Sequence, residues 1–172
     1  MTRRPLLVVI TGRPGAGKST LAPILASKLG CTLLSRDRVK ERIMLGSNPP
    51  DDPELTRNVF DAFFAEIVLL VRSGKCVVAE AGFQHSRWAW KLEPLREICD
   101  LRIVVCKVEP DLALARMKRR EQLDPERARF HPIQFSPTYE PPTLDVPTLH
   151  VDCTEGYSPP LEDILEFLEQ RT

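Results

Sequence analysis

Apolar residues along this chain fall into short runs separated by longer stretches of mixed polarity. Five runs read as strands: 6–11 (LLVVIT), 31–35 (CTLLS), 76–81 (CVVAEA), 101–108 (LRIVVCKV) and 148–152 (TLHVD). Several are continuously apolar rather than alternating, the pattern of parallel strands covered on both faces. Between them the spacing predicts helices over about 18–29, 36–46, 54–72, 87–99 and 110–121, with a last one over 160–171. Strands alternating with helices predict an α/β fold around a parallel sheet.

Local punctuation refines this. Asp52 before Pro53, and Ser158 before Pro159, each offer a helix cap followed by a first-turn proline. Leu161, Ile164, Leu165 and Leu168 give the final helix an apolar stripe that should pack on the sheet. Pro23 conflicts with its surroundings, because a proline one turn inside a helix removes a hydrogen bond or bends the axis. From Asp124 to Pro147 the chain carries six prolines and no periodicity, which predicts a functional loop or lid rather than a connector. The 172 residues predict one domain, 1–172, with the lid or substrate loop at about 116–147.

The first predicted strand runs directly into GRPGAGKST, that is Gly12, Arg13, Pro14, Gly15, Ala16, Gly17, Lys18, Ser19 and Thr20. The spacing is G-x-x-x-x-G-K-[ST], between a strand and a helix. Glycines let backbone N–H groups turn inward around a phosphate, and the following helix presents its positive end. Lys18 would reach the β- and γ-phosphates and Ser19 would ligate Mg²⁺. No N-K-x-D stretch is present to read guanine, so ATP is the expected donor. A single small domain points to a kinase rather than to a motor, a transporter or an AAA-type ATPase.

Other signals suggest where an acceptor would sit. SRDRVKERI (35–43) follows the second strand, where a side chain faces the ligand crevice of such a sheet. Asp37 there either accepts a proton from an attacking hydroxyl or caps the next helix. Among Arg38, Lys40 and Arg42, Lys40 is best placed to hold a substrate anion, one turn beyond Asp37. Glu80 ends the third strand and is either an acid near Mg²⁺ or a structural partner. Gln84, His85 and Arg87 fall at the same rim, with His85 either a substrate contact or an ordinary loop histidine. Trp88 and Trp90 read as packing residues, or as a stacking surface for an acceptor ring. Arg116 and Arg120 are i,i+4 on one helix face; they either spread charge on a transferring phosphoryl group or form an exposed basic end.

These blocks together resemble the P-loop kinases of the AAA_33, zeta-toxin and polynucleotide kinase-like group. The polynucleotide kinase-like members pair a G-x-x-G-x-G-K-S-T loop with an R-D-x-x-R segment, a strand ending in aspartate and an R-x-x-x-R lid. The corresponding stretches here are GRPGAGKST, RDRVK, VVAEA and RMKRR. The resemblance implies a three-layer α/β/α P-loop NTPase fold with a five-stranded parallel sheet in the order 2-3-1-4-5. It implies Asp37 as general base, Lys40 as acceptor-side cation, Glu80 near Mg²⁺, and Arg116 and Arg120 as lid arginines. It also places VDCTEGY, after the last strand, near the adenine. Lys40 stands where the polynucleotide kinase-like members have arginine, and Glu80 where they have aspartate.

Composition narrows the partners. Lys plus Arg and Asp plus Glu both number 24, so no global field recruits nucleic acid or an anionic membrane. ATP and a hydroxyl-bearing acceptor are the expected partners: a metabolite, or at most a short oligonucleotide with a free 5′-hydroxyl. No window approaches the apolar length of a membrane span, and a cytoplasmic location is expected. Five cysteines sit in or beside apolar runs with no C-x-x-C pair, which predicts buried, reduced thiols. A nucleotide-dependent switch or adaptor, and a zeta-toxin-like metabolite kinase, are the competing functions. The sequence leaves oligomeric state open.

Overall fold

In the computed structural model, which describes residues 4–44, 52–133 and 138–170, strands and helices alternate as the hydrophobic pattern predicts. The strands are β1 (Leu6–Thr11), β2 (Thr32–Ser35), β3 (Val77–Glu80), β4 (Asp100–Lys107) and β5 (Thr148–Asp152). The helices are α1 (Lys18–Leu29), α2 (Arg36–Met44), α3 (Pro53–Arg72), α4 (His85–Leu92), α5 (Pro110–Leu123), α6 (Pro125–Phe130) and α7 (Leu161–Glu169), with a 3₁₀ turn at Glu93–Glu97. All strands pair in parallel in the order β2-β3-β1-β4-β5, as expected.

The sheet divides two cores. On one face Val39, Val59, Phe63, Ile67, Phe83, Trp88 and Leu92 pack α2, α3 and α4 against Leu7, Val9 and Ala79. On the other, Leu21, Leu25, Ala113, Ile164 and Leu168 pack α1, α5 and α7 against Leu6, Val8 and Ile10. Alternation along β1 sends successive residues to opposite cores, which is why its whole run is apolar.

Several boundaries differ from expectation. The segment predicted as one helix over 87–99 begins two residues earlier at His85, and Pro94 turns its second half into the 3₁₀ stretch. Residues 45–46 and 171 of the predicted second and last helices lie outside the described residues. Asp52 caps α3 as expected, accepting from Glu54 N at 2.9 Å. Ser158–Pro159 is not a cap: α7 starts after Pro160, and Ser158 pairs with Asp152 across a short antiparallel bridge. Pro23 does not interrupt α1, because it and Ser19, whose carbonyl loses a donor, both lie on the exposed side.

The expectation of reduced thiols fails for two of the five cysteines. Cys31 and Cys76 form a disulfide at the entries to β2 and β3, with Cα atoms 4.7 Å apart. The parallel register pairs Thr32 with Val77, so the residues just before them are also aligned. Cys99, Cys106 and Cys153 are free and buried.

Arg102 is a charged residue in the interior, only 2% exposed. It forms an ion pair with Asp100 at 3.2 Å and donates to the carbonyls of Phe167 and Gln170 at the end of α7. It thereby satisfies carbonyls that a helix C-terminus leaves unpaired. Arg102→Ala should destabilise the fold by about 3 kcal/mol, the cost of stranding buried polar partners. Denaturant titration of the two proteins would measure it, and a loss below about 1 kcal/mol would assign the clamp little weight.

Candidate active site

Parallel pairing sets the carboxyl ends of β1, β3 and β4 side by side: Ile10 faces Glu80 and Thr11 faces Val105. The chain leaves β1 into the glycine-rich loop, whose shape depends on residues without side chains. Gly15 has φ +82°, and a Cβ there would lie 2.4 Å from the Ala113 carbonyl oxygen. Gly12 has a Cβ position 2.5 Å from the Cys106 carbonyl oxygen. The loop is therefore pressed onto β4 and the first turn of α5, and only glycine fits at those contacts.

Lys18 opens α1 and donates from Nζ to the Arg13 carbonyl at 3.0 Å. Burial lowers its pKa, opposed first by the Glu80 carboxylate and more weakly by Asp37, while Arg120 pushes the same way as burial. Arg13 Nη1 is buried without a hydrogen-bond partner. A desolvated ammonium and an unpaired guanidinium nitrogen beside a cradle of glycine N–H groups fit an anionic ligand such as a chain of phosphates.

One cavity of about 1140 Å³ joins this loop to the expected acceptor side. Its walls include Gly12, Arg13, Pro14, Gly15, Gly17, Lys18 and Ser19 at one end, and Asp37, Lys40 and Glu80 beyond. Glu80 is 7% exposed and accepts from Ser35 Oγ at 2.7 Å through Oε2. It thus serves as a structural partner of β2 while still bordering the cavity.

Asp37, in the first turn of α2, does not cap its own helix. Its Oδ2 accepts from Arg127 Nη2 of α6 at 3.1 Å, and its Oδ1 lies 3.8 Å from His131 Nδ1. His131 Nε2 is in turn 2.9 Å from Glu41 Oε1. Arg38 is exposed, and Arg42 is engaged in an ion pair with Glu66.

Two expected site residues are turned elsewhere. Arg116 donates through Nη2 to the carbonyls of Cys153 (2.9 Å) and Thr154 (2.8 Å), so it braces the turn after β5 while Arg120 borders the cavity. His85 is not among the cavity residues. Its Nδ1 accepts from Thr143 N at 3.0 Å, and its own N–H donates to Glu140 O at 2.9 Å, which fastens the proline-rich segment to α4.

The same segment supplies residues the sequence reading missed. Tyr139 Oη donates to Phe83 O at 3.0 Å and contacts Thr11 Oγ1 at the mouth of the glycine-rich loop. Burial pushes its pKa up to about 12, keeping the phenol protonated. Arg127 and His131 were also missed. Their meeting with Asp37 spans about 90 positions of chain and carries no local signal.

Sheet order, helices on both faces and the loop between β1 and α1 define a P-loop NTPase-type α/β fold. The chain belongs to the AAA_33 family, whose model, described as an AAA domain, matches residues 7–135. Solved kinases share the architecture. A candidate kinase from Chloroflexus aurantiacus J-10-fl superposes with a TM-score of 0.83 at 22% identity, over 99% of this chain and 100% of its own. The APS kinase CysC of Mycobacterium tuberculosis, in complex with AMPPNP and APS, gives a TM-score of 0.66 at 20% identity over 98% and 100%. A gluconokinase from Sinorhizobium meliloti 1021 gives 0.56 at 19% identity over 97% and 91%. No curated protein matches the chain in sequence. Among the described residues no helix is long and apolar enough to cross a membrane.

Proposed function

We propose that this protein is an ATP-dependent kinase whose acceptor is a hydroxyl of a small molecule or of a short oligonucleotide's 5′ end. The observation that carries the reading is the single cavity running from the glycine-rich loop to Asp37. A donor phosphate held at Lys18 and an acceptor held at Asp37 would share one cavity. The likeness to kinases with different acceptors supports the reaction class without choosing an acceptor.

In the proposed reaction the acceptor oxygen attacks the γ-phosphorus, the bond to the β-phosphate oxygen breaks, and the acceptor proton passes to the Asp37 carboxylate as ADP leaves. The loop N–H groups and Lys18 hold the phosphates, and Arg120 faces the charge that develops on the transferring group. Ser19 and Glu80 would hold Mg²⁺, which when bound would neutralise phosphate charge. Among the described residues no group of three or more His, Cys, Asp or Glu forms a cage of its own, so phosphate oxygens would supply most ligands. Arg127 occupies one side of the Asp37 carboxylate, at Oδ2, and its release would free that oxygen for the acceptor proton, with α6 acting as a lid over the acceptor.

Transfer of labelled γ-phosphate from ATP and Mg²⁺ to a panel of sugars, nucleosides, antibiotics and 5′-hydroxyl oligonucleotides tests the proposal. Labelled product supports it. Tight ATP binding with no transfer to any acceptor in a full metabolite extract would favour the switch instead. Arg127→Ala should raise acceptor-independent ATP hydrolysis by up to about fivefold, the worth of a partly exposed ion pair, because water then reaches Asp37. Phosphate release measures this, and unchanged hydrolysis would show that the pair does not shield the base.

A further inference from the structure

Beyond Asp37 the cavity holds more positive charge than its own carboxylates neutralise. Arg36, Lys40, Arg57, Arg87 and Lys91 line it there; Glu80, Glu121 and Asp124 also border the cavity, and the acids beside these cations are Asp37 and Asp61. Both acids are engaged within the protein: Asp61 lies 3.4 Å from Lys91 Nζ, and Asp37 is held by Arg127. Arg36 and Arg87 are left close enough to repel one another, with no hydrogen bond or ion pair from either side chain to a described residue. Burial lowers the Arg36 pKa; Asp37 opposes the shift and Arg87 adds to it. Arg36 is also the first residue of α2, where the helix field disfavours a cation. A protein with balanced total charge thus sets Arg36 and Arg87 side by side on one wall of the cavity, an arrangement an anion would relieve.

The wall beside these arginines is aromatic. Both tryptophans border the cavity, but Trp90 is 64% exposed whereas Trp88 is 2% exposed and packs among Phe60, Phe63 and Phe83. Lys91 Nζ sits 4.8 Å from the Phe60 ring centroid and 5.2 Å from that of Trp90, fixing the edge of the aromatic wall. The Trp90 indole is largely exposed where it borders the cavity, a surface on which a planar ring could stack.

Building on the kinase reading, we propose that the acceptor is a small hydroxyl-bearing molecule that itself carries an anionic group (phosphate, sulfate or carboxylate), held between Arg36 and Arg87, with a planar ring against Trp90. The anion anchors the acceptor away from the reacting hydroxyl, which leaves Asp37 free to address that hydroxyl alone. Paired guanidinium groups suit an oxyanion because each offers a planar fork of donors. Its residues are distinct from those of the glycine-rich loop, so the two can be examined with the donor site already filled.

The first test uses inorganic sulfate on the protein saturated with a non-hydrolysable ATP analogue and Mg²⁺, so that the donor phosphates are already occupied. Sulfate should raise the thermal midpoint of the wild type, and Arg87→Gln should lose that rise; Arg87 is exposed, so its replacement leaves the fold intact. No sulfate effect, or an equal effect in both proteins, overturns the subsite whatever the acceptor assay shows. The second test compares acceptors in matched pairs with and without a phosphate, a sulfate or a carboxylate, which also decides among the three anions. The charged member should have a KM about tenfold lower, and Arg87→Gln should remove that advantage while kcat changes less than about twofold. Trp90→Ala should raise KM for ring-bearing acceptors only. Preference for the neutral members overturns the proposal. Sulfate binding lost in Arg87→Gln, with no transfer to any acceptor, would sink the kinase reading and leave the anion site standing.

Discussion

Asp37→Asn should lower phosphoryl transfer by about 10²–10⁴-fold, the usual contribution of a positioned general base, while leaving nucleotide affinity nearly unchanged. Asparagine keeps the size of the side chain and can still accept a hydrogen bond from Arg127, so the lid contact need not collapse. It cannot take the proton that leaves the acceptor hydroxyl. Single-turnover transfer and equilibrium binding of an ATP analogue separate the two effects. A large loss of nucleotide affinity would place Asp37 in the donor site and refute its assigned role. Transfer reduced less than about tenfold would leave the reaction without need of this base.

Lys18→Met should be comparably damaging for a different reason, with an opposite effect on the unliganded fold. Removing the ammonium deprives the phosphates of a buried charge, so transfer should fall by about 10²–10³-fold and nucleotide binding should weaken with it. The same ammonium is desolvated in the protein alone, where it donates to the Arg13 carbonyl at 3.0 Å and the Glu80 carboxylate only partly offsets its burial. Methionine of similar length carries no such cost. The nucleotide-free variant should therefore melt no lower than the wild type, yet lose the rise in midpoint that ATP gives. Thermal scans with and without nucleotide would show both. A variant that melts far lower without nucleotide would make Lys18 a structural residue first.

How far these assignments were legible beforehand depended on whether the information was local. Strand positions and the phosphate loop were readable because continuous apolar runs and glycine spacing act over a few residues, whereas the sheet order came through the resemblance to P-loop kinases. Helix α6 was missed although Asp124–Pro125 repeats the signal that Asp52–Pro53 gives to α3. Its six residues bury none of their side chains, so no apolar stripe marked it. Equal i,i+4 spacing could not separate Arg116 from Arg120, because what parts them is the loop after β5, distant in sequence. The disulfide followed from the register of β2 against β3, which a pattern of isolated strands does not contain. His85 looked like a rim residue because it lies near one, but its ring is held by the backbone of Thr143.

The two cores on opposite faces of the sheet carry a consequence for how such a protein can change. The helices that follow and brace the glycine-rich loop, α1 and α5, are rooted in the core that also holds α7. Those that bear Asp37, Phe60 and Arg87, namely α2, α3 and α4, are rooted in the other. Between them lie the sheet and α6, which continues from α5 and reaches α2 through Arg127 and Asp37. Side chains on the α3–α4 side can therefore be exchanged for a differently shaped guest without disturbing the seating of the nucleotide. A lineage, or an engineer, could explore new acceptors on one side while inheriting the energy source intact on the other.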